Sequence, residues 1–146
     1  MKKRENKCYA LSHHYFFNSL ITIGSDYVDS FLANYRSFMG PKHLLDLFIE
    51  WYNVINYPNA TADMELFLKK HKKAIQSRCI KIILHWITTH WQDFATDKVL
   101  LDKLMKFIEK TSSTSFGDGQ KLNQACREQV RKKEKKEESS YLNLFQ

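Results

Sequence analysis

Residues 62–92 read ADMELFLKKHKKAIQSRCIKIILHWITTHWQ, a run with neither glycine nor proline. Nothing in it breaks a helix, and Asp63 and Glu65 suit the positive end of a helix dipole, with Thr61 placed to cap. It is either one long helix or two joined near Lys70–Lys73. Ile80, Ile82, Ile83, Leu84, Trp86, Ile87 and Trp91 make its second half apolar on most sides, the pattern of a central helix. Upstream, residues 26–38 place Tyr27, Val28, Phe31, Leu32, Tyr35 and Phe38 at helical spacing, with Ser25 as the expected N-cap. Gly40 and Pro41 punctuate the chain, and Pro41 suits the first position of the next helix, which carries Leu44, Leu45, Leu47, Phe48, Trp51 and Tyr52. Residues 53–61 read as a loop around Pro58.

On the N-terminal side, residues 12–22 read as a short helix with Leu11, Tyr15, Phe16, Leu20 and Ile23 inward, stopped by Gly24 in a left-handed conformation. On the C-terminal side, Thr96 or Asp97 caps a helix through Glu109 that turns Val99, Leu100, Leu101, Leu104, Met105, Phe107 and Ile108 inward. TSSTSFGDG (111–119) reads as a loop. Residues 120–138 read as a helix packed through Leu122, Ala125, Cys126 and Val130, then solvated. No period-two run bounded by turn signals appears, so the expected fold is all-α: a single-domain bundle of about six helices with a charged C-terminal extension.

The chain has 146 residues, a size at which one domain is the usual outcome. With 43% hydrophobic and 14% aromatic residues it has a core to bury, which excludes wholesale disorder. The net charge is +7, but residues 1–7 contribute +3 and residues 127–138 contribute +2, leaving the body between them at +2. That body does not have the composition of a nucleic-acid surface, and Lys69, Lys70, Lys72 and Lys73 read as a solvated helix face. The basic start allows at most a weak membrane contact. Histidines 13 and 14 and Asn18 interrupt the apolar stretch after it, which argues against a secretory signal. Cys8, Cys79 and Cys126 are odd in number and contain no C-x-x-C, so a reducing, cytoplasmic setting is expected.

Catalytic and metal chemistry find little to stand on. His85 and His90 are five apart, not the four that aligns two ligands on a helix, and they read as partly buried histidines beside the tryptophans. No G-x-S-x-G or phosphate loop occurs. Asp93 and Asp97 sit at a helix junction, where capping is the natural role. Cys79 reads as inert filling. No cofactor and no catalytic residue are expected.

Two motifs carry more. One is F-L-x-x-Y-R-S-F (Phe31, Leu32, Tyr35, Arg36, Phe38) followed by P-x-x-L-L-x-L (Pro41, Leu44, Leu45, Leu47). The other is W-x-x-x-H-W-x-D-F (Trp86, His90, Trp91, Asp93, Phe94). In combination they closely resemble the Ras exchanger motif domain, the N-terminal domain of Ras-family guanine-nucleotide exchange factors. The resemblance covers roughly residues 9–136, leaving 1–8 as a basic segment and 137–146 as a tail. Because most signature side chains fall on inward faces, they specify a fold and not an active site; Arg36 is taken as structural.

The resemblance implies an indirect role. In such exchangers a separate helical catalytic domain expels the nucleotide, and the exchanger-motif domain steadies its helical hairpin. The expected partners are therefore a catalytic exchange domain, in cis or in trans, and a Ras-family GTPase indirectly. The chain reaches only Gln146, so it alone is not expected to catalyse exchange. Docking is expected on an exposed apolar patch, with Phe16, Phe17 and Leu20 as candidates. In the Son-of-sevenless branch a second Ras binds partly on this domain. The corresponding positions are Ser77, Arg78 and, loosely, Leu122; only Arg78 fits, so no strong allosteric site is expected. The competing reading is a helical scaffold domain with a different partner.

Overall fold

The computed structural model describes residues 24–53 and 61–145, and no strand occurs among them. In chain order the described elements are α1 (Ser25–Asn34), a 3-10 turn (Tyr35–Ser37), α2 (Pro41–Tyr52), α3 (Ala62–Thr89), the one-turn α4 (Gln92–Ala95), α5 (Lys98–Thr114) and α6 (Phe116–Leu144). The all-α class expected from the periodicity is therefore what the backbone adopts. The choice over residues 62–92 resolves to a single 28-residue helix, α3. The chain divides into two compact units, one ending at Cys79 and one beginning at Ile80, so the division falls within α3. The expected helix over 12–22 lies outside the described residues.

In the first unit, α2 follows its sequence pattern closely: Leu44, Leu45, Leu47, Phe48, Trp51 and Tyr52 are all buried. Pro41 takes its first position after an extended Gly40 (φ −80°, ψ 157°). Trp51 packs edge-on against Phe48, with ring centroids 5.6 Å apart. Gln76 of α3 donates from Nε2 to the carbonyl of Tyr52 at 2.9 Å, tying α3 to the end of α2. The start of α1 corrects two expectations. Gly24 is extended (φ −71°, ψ 170°) and is itself the N-cap, without a side-chain hydrogen bond, so it is not left-handed and Ser25 is already helical. Glycine is tolerated at this position as well as after a helix end.

Along α1 and the turn, Val28, Leu32 and Tyr35 are buried while Tyr27 and Phe38 are exposed. Phe38 was expected to face inward. By Phe38 the chain has left helical geometry (φ −134°, ψ −10°), so the helical register no longer aims its side chain.

In the second unit, Ile80, Ile82, Ile83, Trp86 and Ile87 of α3 are buried, together with Phe94, Leu100, Leu104, Phe107, Ile108, Leu122, Ala125 and Cys126. Val99 and Met105, expected inward, are exposed because they fall to the side of the stripe that Leu100, Leu104, Phe107 and Ile108 define. Of the two candidate caps, Asp97 holds the start of α5: its Oδ1 accepts from the amide of Leu100 at 3.1 Å. Asp97→Ala should lower stability by about 1 kcal/mol, and Asp97→Asn by a few tenths at most, read as shifts of the urea midpoint.

The Ser/Thr-rich stretch corrects the expected loop. α5 continues to Thr114, and only Ser115 (φ −142°, ψ 89°) breaks the chain before α6. The hydroxyls return to the helix. Thr111 Oγ1 donates to the Phe107 carbonyl at 2.7 Å, Ser112 Oγ to Ile108 at 2.8 Å, and Ser113 Oγ to Lys110 at 2.7 Å. Their polar groups are thus satisfied within the helix that composition argued against. Thr111 and Gly119 are buried.

α6 outruns the expected helix at both ends. Cys126 is its last buried residue, and every described residue from Val130 onward is exposed. Lys133 and Glu137 pair one turn apart at 4.0 Å, both well solvated, a contact worth only a few tenths of a kcal/mol. No helix among the described residues is long and apolar enough to cross a membrane.

Candidate functional site

Two aromatic groups contain most of the signature residues, one in each unit. In the first, Phe31 is half-buried and lies 6.3 Å from Tyr35, ring to ring, and 5.9 Å from Phe38. Leu32, Tyr35, Leu44 and Leu45 are buried, whereas Arg36 is exposed and Phe38 is 61% exposed. The group therefore rises from the interior to the surface, ending on a solvated phenyl ring.

In the second, the indole of Trp86, fully buried, donates from Nε1 to Oδ2 of Asp93 at 2.9 Å. Phe94 is also fully buried and lies 4.7 Å from Trp86 and 5.8 Å from Trp91. α3 stops at Thr89, and the amide of Asp93 bonds back to the carbonyl of His90 at 3.1 Å. That short return brings a residue seven positions on against its own helix. Asp93 thus orients the largest buried side chain, while Asp97 caps the start of α5. Composition could not separate the two aspartates, but the W-x-x-x-H-W-x-D-F spacing contains the pairing. Trp91 and His90 are half-buried beside it.

Phe16, Phe17 and Leu20 lie outside the described residues. Arg78 is half-buried and Ser77 exposed, but Leu122 is fully buried and offers no surface to a partner. Its place on the inner stripe of α6 explains why. Among the described residues, no group of three or more His, Cys, Asp or Glu side chains could hold a metal ion.

Cys79 and Cys126 are buried free thiols, and burial pushes each up to about 12. They are held as neutral packing groups, as read for Cys79 from its apolar helix. In a Cys8→Ser background at pH 8, iodoacetamide should label both slowly in the folded chain and rapidly in denaturant, since the thiolate is the reacting form.

Lys69, Lys70, Lys72 and Lys73 of α3 are all exposed, as a solvated face requires.

The family model for the RasGEF N-terminal motif matches residues 10–107, more than half of the chain. Among curated relatives, "Ras guanine nucleotide exchange factor P" of Dictyostelium discoideum is 37% identical over 94 residues, covering 59% of this chain and 6% of its own length. "Protein son of sevenless" of Drosophila melanogaster is 27% identical over 115 residues, covering 62% of this chain and 7% of its own length. "Ral guanine nucleotide dissociation stimulator-like 1" of Mus musculus is 25% identical over 119 residues, covering 80% and 15%. The chain thus spans less than a fifth of each of these relatives. The motif match and the burial of most signature side chains agree, and the chain belongs to the RasGEF N-terminal motif family.

Proposed function

We propose that this chain is the non-catalytic regulatory module of a Ras-type guanine-nucleotide exchange factor, working in the cytoplasm. It docks on the helical hairpin of a catalytic exchange domain, in cis or in trans, and serves a Ras-family GTPase only through that domain. The module spans residues 9–136 in this reading. The observation that carries it is the use of the family signature: Leu32, Tyr35, Leu44, Leu45, Trp86 and Phe94 are spent on the interior, which is what a brace requires. Phe38, a signature aromatic left at the surface, joins Phe16, Phe17 and Leu20 as a docking side chain.

The mechanism is a population shift. A surface that binds the competent hairpin about 3 kcal/mol better than the collapsed one favours it more than a hundredfold. The test is release of a fluorescent guanine nucleotide from Ras by a purified exchange domain, with and without this chain added in trans. Stimulation between about 5-fold and 150-fold is expected, the usual range of coupling between sites. Phe38→Ser should reduce it while leaving the helical spectrum intact. No stimulation and no complex would favour a scaffold with another partner. Exchange by this chain alone would overturn both.

A further inference from the structure

Residues 66–84 contain six Lys and Arg and no Asp or Glu, whereas the rest of residues 8–126 holds seven Lys and Arg against eleven Asp and Glu. The near-neutral body is therefore polarised, with +6 on one segment and −4 on the remainder. Lys69, Lys70, Lys72 and Lys73 form the densest part, all exposed, and no carboxylate among the described residues is paired with any of them. At 3.6 residues per turn the four occupy an arc of about 160°. Leu66 lies on the same face, three, four and seven positions before Lys69, Lys70 and Lys73, and is 68% exposed. The opposite side is where α3 packs: Ile75 is buried, and the rings of half-buried Phe67 and His71 meet at a tilt, 4.4 Å apart.

We infer that this face of α3 is a contact for an anionic bilayer surface. Lysines concentrated on one helix face are drawn to the negative leaflet. A solvated aliphatic side chain among them has a use at the acyl boundary and none on a phosphodiester backbone. Nucleic-acid surfaces add bidentate arginines or stacking aromatics, and this face presents neither. The mixed-charge half of α6 differs, because its cations alternate with glutamates at close spacing.

The test is co-sedimentation of the 146-residue chain with phosphatidylcholine vesicles, with and without about 30% phosphatidylserine, in about 0.1 M salt. Binding is expected only to the anionic vesicles. Changing all four of Lys69, Lys70, Lys72 and Lys73 to Gln should weaken it more than a hundredfold, at about fivefold per lysine. Leu66→Ala should weaken it severalfold. The matched change of Lys132, Lys133, Lys135 and Lys136 to Gln should alter it less than about twofold, because that stretch carries little net charge. All eight lysines are exposed, so circular dichroism should show every variant folded. Unchanged binding by the α3 variant, equal loss in the α6 variant, or tighter binding to a single-stranded oligonucleotide than to the vesicles would overturn the inference. The assay contains no GTPase, so its failure leaves the exchange-factor reading standing.

Discussion

Trp86→Ala is expected to destabilise the chain by about 3–5 kcal/mol, a large fraction of what holds a domain of this size together. Trp86 is the largest fully buried side chain, and the cavity would open beside Phe94. The polar half of the effect can be isolated. Asp93→Ala leaves the buried indole N–H without the acceptor it has at 2.9 Å, which should cost about 1–3 kcal/mol. Trp86→Phe keeps most of the ring and removes the donor. Once the donor is gone, losing the Asp93 acceptor should matter less, so the two changes together should fall short of their sum by about 0.5–3 kcal/mol. Denaturant midpoints of the four chains measure this. Full additivity would mean that the hydrogen bond does not orient the indole.

Gly119→Ala sets two effects against each other. In a helix interior alanine is better than glycine by about 1 kcal/mol. At this site a Cβ would collide with the Oγ of Ser112 and lie 2.6 Å and 2.7 Å from the Cα and backbone nitrogen of Ser112. Two of those three atoms are backbone, so α5 and α6 must move apart, and the net loss should be about 3 kcal/mol, at the upper end of overpacking costs. Ser112→Gly should restore little of it, since it removes the CH2OH group but leaves the Cα and backbone nitrogen in place. Gly117, two residues earlier, has nothing within 4 Å of its Cβ position. Gly117→Ala should therefore be neutral or slightly stabilising. Melting temperatures of the four chains decide it, and a stable Gly119→Ala would show that the helices do not approach this closely.

Helical periodicity made the core face of α2 legible, because the six residues read as its apolar repeat are all buried. It made α1 and α5 legible only in part. Tyr27, Phe38, Val99 and Met105 are apolar like their buried neighbours, and a one-dimensional pattern does not separate a stripe from its margin. The Ser/Thr run before α6 misled because hydroxyls that favour turns also satisfy themselves on helix carbonyls. Asp93 misled for a different reason: its partner is reached only after the chain folds back at α4. The signature of the candidate site was visible as spacing, while its division into buried support and the exposed Phe38 ring required coordinates. Leu122, by contrast, already reads as a packed residue from the helical stripe of 120–138, and it is fully buried.

α6 keeps helical form well past Cys126, where its burial ends. Packing locks the beginning of this rod, whereas the remainder rests on intrinsic propensity and weak pairs a turn apart. One helix therefore has two thermal lives. Gentle warming should fray the distal part first, shedding ellipticity gradually and exchanging its amides early, while the proximal turns hold their protons until the cooperative melt.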